Sequence, residues 1–220
     1  MKESYFTPDT IGPKAQDMLH SLDALQRRHA PPFDGRSSAL LVLDMQEYFL
    51  EPDSHAFVPS ALAILPGVRA LVQAYAALEL PIVFTRHVNT AQDAGLLATW
   101  WRDLITAEHP RSALTPHLDS SLGQVIEKTR YDAFLGTELE SWLRARQVDQ
   151  LVITGVMTHL CCETTARSAF MRGWQVFFLV DGTATYNEDF HRATLLNLAH
   201  GFANLLLVEQ VLSALQEMTG

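Results

Sequence analysis

Apolar residues along this 220-residue chain alternate between two patterns. Short, nearly continuous runs occur at ALLVLD (Ala39 to Asp44), PIVFTR (Pro81 to Arg86), LVITGV (Leu151 to Val156), QVFFLV (Gln175 to Val180) and NLLLVE (Asn204 to Glu209). A strand covered on both faces needs no polar alternation, so such runs predict buried parallel strands. Between them, apolar positions recur at helical spacing, as in Val68, Leu71, Val72 and Tyr75, in Leu139, Trp142 and Leu143, and in Leu195, Leu198 and Ala199. Strand followed by helix, repeated, predicts an α/β fold with a parallel sheet and right-handed crossovers. A shorter run, QVIEKT at Gln124 to Thr129, supplies a sixth strand, and Lys14 to Arg28 reads as an extra amphipathic helix before the Pro31-Pro32 break. The expected organisation is a leader helix and linker over 1–37, packed on one domain over 38–220.

Composition narrows the function. The formal net charge is -9 and there is no basic run, so the phosphate attraction behind nucleic-acid binding has no source. No basic region precedes an apolar signal segment, and no apolar run approaches bilayer length, which predicts a soluble, cytoplasmic protein with no membrane partner. The two cysteines, Cys161 and Cys162, are adjacent. That spacing fits neither a long-loop disulfide, a zinc ribbon nor a C-x-x-C pair, which leaves reactivity, metal binding or packing.

Open parallel sheets bind ligands at the carboxyl ends of their strands. Asp44, Arg86 with His87, Lys128, and the Gly155-Val156 pair that leads to the cysteines all stand where an apolar run stops. Each has an ordinary reading alone: Asp44 as a turn former or helix cap, Lys128 as a solvated loop cation, either cysteine as a small buried hydrophobe. Together they bring an acid, cations and a thiol to one rim. A thiol between a strand and the next helix feels the positive end of the helix dipole, which favours thiolate. Free N–H groups of the first turn can bind an oxyanion, and a nearby carboxylate can take the thiol proton and later activate water.

LLVLDMQEYFL around Asp44, KTRYDAF from Lys128 and TGVMTHLCCETTARSAF from Thr154 resemble, in order, the motifs of the isochorismatase-like cysteine hydrolase family. The resemblance implies a three-layer, Rossmann-like α/β fold with a central, mostly parallel sheet of about six strands and helices on both faces. It implies an Asp44-Lys128-Cys161 triad, and a cis peptide between Val156 and Met157 that aims the Met157 and Cys161 amides at an oxyanion. Family substrates are amides, ureido compounds, nicotinamide or isochorismate, and homo-oligomers are common, so a dimer or tetramer is expected. Cys162 stands where the family has an aliphatic residue, and should point about 100° away from Cys161 and pack as an apolar side chain.

Two departures bear on substrate. TRHVNT, from Thr85 to Thr90, lacks the aspartate and histidines that bind metal in nicotinamidases of the family. Asp53 and His55 read as surface loop, so no metal or cofactor is expected and nicotinamide drops as a substrate. His159 resembles the isochorismatase branch, whereas amidases more often have asparagine there. Isochorismatases of siderophore and phenazine pathways typically have glycine in place of Cys161, so the retained thiol favours C–N bond cleavage of a small amide or ureido compound through a thioester.

Alternatives are isochorismate hydrolysis with Asp44 as acid and no role for the thiol, and a redox-responsive or binding protein that uses Cys161 and Cys162. Phe49, Trp100, Tyr131, Phe134 and His159 are the expected pocket walls, and Arg86, His87 and Arg130 the expected cations toward substrate. Trp100 and Trp101 equally suit a subunit contact.

Overall fold

In the computed structural model, which describes residues 1–25 and 31–218, the apolar runs become six strands. They are β1 (Ser38–Leu43), β2 (Ile82–His87), β3 (Gln124–Lys128), β4 (Gln150–Val156), β5 (Gln175–Ala184) and β6 (Asn204–Leu206). The sheet order is β3-β2-β1-β4-β5-β6, with every neighbouring pair parallel. β1 and β4 are buried along their whole length, as expected of runs without polar alternation. β3 lies at the sheet edge with Gln124, Val125 and Glu127 exposed, which is why its run tolerates charge. β6 is shorter than its run because Val208 already opens a helix.

The helices are α1 (Ile11–His20), α2 (Glu47–Leu50), α3 (Ala61–Ala77), α4 (Leu97–Trp100), α5 (Leu139–Ala145), α6 (Glu163–Met171), α7 (Glu188–Gly201) and α8 (Val208–Glu217). The leader helix starts before Lys14 and ends at His20, not Arg28. Its buried face is short, Ala15 and Met18 only, and Ser21 Oγ closes its end by donating to the Met18 carbonyl at 2.7 Å. The end of the expected helix, residues 26–28, lies outside the described residues. Asn187 caps α7 by accepting from the Phe190 N–H at 2.9 Å. Among the described residues no helix is long and apolar enough to cross a membrane.

The strand order places the site. From β1 the chain steps outward to β3, then returns to β4 on the other side of β1 and steps outward to β6. Right-handed crossovers put the helices of these two halves on opposite faces, which opens a crevice at the carboxyl ends of β1 and β4. β1 anchors this point: Leu40, Leu41, Val42 and Leu43 are fully buried, each side chain contributing about 1.5–3 kcal/mol. Beside it, Gly155 pairs with Leu43 at φ +109°, and a Cβ there would lie 2.1 Å from the Leu43 carbonyl oxygen. Only glycine lets β4 run this close to β1 just before the turn that carries the cysteines.

Candidate active site

Asp44 leaves β1 in a left-handed conformation, φ 49°, which aspartate tolerates better than the β-branched residues of the strands. Its carboxylate is fully buried. Oδ1 accepts from Thr85 Oγ1 at 2.6 Å, and Oδ2 forms an ion pair with Lys128 Nζ at 2.7 Å. Lys128, the last residue of β3, is buried as well. Its ammonium also donates to the Arg130 carbonyl at 2.9 Å and to Cys161 Sγ at 3.4 Å, so all three N–H bonds have partners.

Thr158–Cys162 forms a single π-helical turn that runs directly into α6. Cys161 is on its site side, 6% exposed, with its Sγ 3.4 Å from the Lys128 ammonium that pairs with Asp44. Cys162 is fully buried, its Sγ directed at the Thr154 carbonyl 4.0 Å away, and both thiols are free. The Val156-Met157 peptide is cis.

Electrostatics fix the resting protonation. Burial pushes the Asp44 carboxyl up, but the charge and hydrogen bond of Lys128 outweigh it and hold the group below the ordinary carboxylate range. Burial pulls Lys128 down, and Asp44 and Cys161 more than offset it, so the ammonium is retained. Burial drives the Cys161 thiol well up, the Asp44 charge adds to this, and Lys128 opposes without prevailing. The resting site is therefore carboxylate, ammonium and neutral thiol. A resting thiolate, expected from the helix dipole, is corrected: desolvation and an adjacent carboxylate exceed the roughly half charge at a helix N-terminus.

A cavity of about 250 Å³ opens onto Cys161. Phe49, Tyr131 and His87 line it, as expected. Burial first, then Lys128, lowers the pKa of His87 and keeps the ring neutral. Asn89 gives its amide N–H groups to Asp93 and Thr129, so its Oδ1 accepts from His87 Nε2 at 2.7 Å.

Other expected contacts lie elsewhere. Trp100 is 77% exposed, and Trp101 lines the cavity instead, its Nε1 donating to Tyr131 Oη at 2.6 Å. Arg86 alternates with His87 along β2 and so faces away, bound to Glu127 Oε1 at 2.9 Å and the Ser112 carbonyl at 2.8 Å. Arg130 binds the carbonyls of Asp93 and Thr129. Phe134 stacks on Trp174, ring centroids 5.2 Å apart, because both are core. His159 stacks on Phe190 at 4.3 Å and shares a 2.6 Å hydrogen bond with Thr185 Oγ1.

His55, expected on a surface loop, is on the cavity wall, where its Nε2 is 3.2 Å from both Tyr48 Oη and Asp103 Oδ1. Asp53 does remain at the surface, paired with Arg111. Among the described residues no group of three or more His, Cys, Asp or Glu side chains is placed to hold a metal ion.

Several site residues escaped the sequence reading. Thr85, which orients Asp44, interrupts an apolar run, and that was its signal. Gln46, two residues after Asp44, is fully buried and joins the His87 backbone to the Ser112 carbonyl through three hydrogen bonds of 2.8–3.1 Å. Tyr48, Trp101 and Tyr186 complete an aromatic lining with Phe49 and Tyr131.

Residues 38–210, from the first residue of β1 into α8, match the family model described as "Isochorismatase domain". The chain belongs to the isochorismatase family. This isochorismatase-family hydrolase is 38% identical over 178 residues to "Nicotinamidase 3" of Arabidopsis thaliana, covering 79% of this chain and 86% of the relative. It is 30% identical over 209 residues to "Enterobactin synthase component B" of Escherichia coli K12, covering 91% of this chain and 71% of that protein. Among solved structures, a cysteine hydrolase from Pseudomonas syringae pv. phaseolicola 1448A superposes with a TM-score of 0.81 at 26% identity, covering 85% of this chain and 96% of that one. Residues 1–37 of this family member lie outside the matched domain.

Proposed function

We propose that this hydrolase cleaves the C–N bond of a small amide or ureido compound through a thioester on Cys161. One observation carries the reading: Lys128 Nζ lies 2.7 Å from Asp44 Oδ2 and 3.4 Å from Cys161 Sγ, at the floor of a cavity. An acceptor and a cation flank one thiol.

Sγ attacks the substrate carbonyl carbon while the thiol proton passes to Asp44, so the thiolate exists only during attack. Lys128 keeps Asp44 ionised beforehand and faces sulfur when charge moves onto it. The Met157 and Cys161 amides receive the oxyanion. Collapse of the tetrahedral intermediate breaks the C–N bond, with Asp44 returning its proton to the leaving nitrogen. Water then adds to the thioester, giving its proton to Asp44, and the departing sulfur is reprotonated as the acid leaves.

The walls favour a flat or apolar acyl group. Tyr48, Phe49, Trp101, Tyr131 and Tyr186 surround the cavity, and a relative of this chain is a nicotinamidase. The absent metal motif thus does not remove nicotinamide, and aromatic carboxamides belong in the substrate panel beside ureido compounds. Isochorismate is the second reading, motivated by the enterobactin synthase relative. It is a dianion, yet Arg86 and Arg130 are bound elsewhere, and among the described residues Arg102 is the one arginine on the wall. A redox pair is disfavoured by Cys162, whose sulfur is shut beneath the turn.

The test is steady-state hydrolysis of an amide, ureido and isochorismate panel by the parent protein and Cys161→Ala. Amide turnover should fall by at least ~10³-fold, and quenched parent enzyme should carry an acyl mass on Cys161. Amide hydrolysis that survives without the thiol overturns the proposal, and isochorismate cleavage that survives supports the second reading.

A further inference from the structure

Residues 1–6 lie outside the matched domain, yet Tyr5 and Phe6 are buried at 5% and 0% exposure. The Tyr5 hydroxyl accepts the Thr185 N–H at 3.0 Å and shares a 2.8 Å hydrogen bond with His191 Nδ1. Thr158 Oγ1 is 3.3 Å from the same Nδ1, and Thr158 is the first residue of the turn that presents Cys161.

Nearer the start of the chain, Lys2 joins two cavity walls. Its Nζ donates to the His55 carbonyl and sits 4.4 Å over the Tyr186 ring. The Glu3 N–H donates to the Tyr186 carbonyl at 2.8 Å. His55 lies between α2 and α3, and Tyr186 follows β5, so nothing local in the sequence joins them. Both line the cavity.

We propose that residues 1–6 are a positioning arm of the active site, in which Tyr5 sets the turn that presents Cys161 and Lys2 sets the span between His55 and Tyr186. The inference rests on Cys161 as nucleophile and on the cavity as substrate site. Burial holds His191 neutral, its pKa lowered to about 3, so the arm keeps its hydrogen bonds through the neutral range. A clasp on preformed walls acts on substrate binding, whereas a shift of the nucleophile's turn acts on the chemical step.

The experiment compares full-length Lys2→Met, Lys2→Arg and Tyr5→Phe with the parent, reading kcat and KM on the best amide and the rate of Cys161 alkylation by iodoacetamide. Near-UV circular dichroism identifies folded variants. Lys2→Met should raise KM about threefold with kcat within about twofold, and Lys2→Arg should restore it. Tyr5→Phe should lower kcat about tenfold, with KM within about twofold and a several-fold change in alkylation rate.

Parent-like KM in Lys2→Met, or parent-like kcat and alkylation in folded Tyr5→Phe, overturns the arm. If Tyr5→Phe does not fold, the Lys2 pair decides, because Lys2 is exposed. If the parent hydrolyses no amide, it is the proposed function that fails, and the alkylation rate of Tyr5→Phe alone decides on the arm.

Discussion

The turn Thr158–Cys162 is held by two buried polar clusters that meet the cost of burial in opposite ways. At Cys161 the partners are ionic: Asp44 and Lys128 are both charged and both shut off from water. At Thr158 they are neutral: burial drives the Tyr5 phenol well up and the His191 imidazole down, so neither ionises. An ionic cluster supplies the strong field that catalysis needs, but each charge is tolerable only while its partner is present. A neutral cluster gives no field, yet its directional hydrogen bonds fix geometry at lower cost. The two are suited to different work, reactivity at one end of the turn and placement at the other.

The comparison breaks most sharply at Lys128. Lys128→Met should strand the Asp44 carboxylate and cost about 3–5 kcal/mol. For a domain of this size that lowers Tm by roughly 10 °C. Asp44→Asn in the same background should recover much of the loss, because no lone charge then remains. A melt of Lys128→Met within about 2 °C of the parent would mean that the ion pair is not the energetic unit described.

Acid separates the clusters by order of failure. The folded pKa of His191 is depressed to about 3 from 6.5. Between those values the unfolded chain binds the extra proton, so the stability is fully present above pH 6.5 and is lost as pH falls toward 3. The slope is at most about 1.4 kcal/mol per pH unit, or roughly 2 kcal/mol by pH 5. The Asp44 carboxyl is also depressed, so its contribution is present above the ordinary value of 3.8 and goes only as pH falls below it. Urea unfolding from pH 7 to 4 should show a steeper loss in the parent than in His191→Gln, the slope that remains in the variant coming from His87 and His159, whose pKa values burial also lowers. An unchanged slope in that variant would assign the acid lability elsewhere.

Much of this was legible because strand ends are set by short apolar runs. Asp44, His87, Lys128 and the cysteine turn stand at the ends of β1, β2, β3 and β4, where a polar residue stands out. Phe49 and Tyr131 lie within a few residues of those ends, which keeps their direction constrained. The long irregular connection from Val88 to Gly123 offers no periodicity, so nothing told Trp101 from Trp100. Tyr48 and His55 meet Asp103 through tertiary packing, and Tyr5 reaches His191 across 186 residues of chain. Phe134 was misplaced for a different reason: an aromatic next to a site motif packs on Trp174 as readily as on a ligand.

His159 is the most delicate test of the division. It sits two residues before Cys161, and two steps along the helical turn carry its side chain to roughly the opposite side. There its ring lies at 6° to that of Phe190 and its Nδ1 engages Thr185 Oγ1. It belongs with the neutral cluster rather than with the cavity. His159→Asn should therefore cost the stacking and the Thr185 hydrogen bond, together about 1–2 kcal/mol, and leave kcat/KM for the best amide within about twofold. Phe190→Ala should give a smaller loss, about 0.5–1 kcal/mol, with the same kinetics, since it removes the stacking and leaves the Thr185 hydrogen bond. A tenfold change in kcat/KM on replacing His159, or a switch of preference between amide and isochorismate, would mean that the placing side of the turn reaches the substrate and that the two clusters act as one.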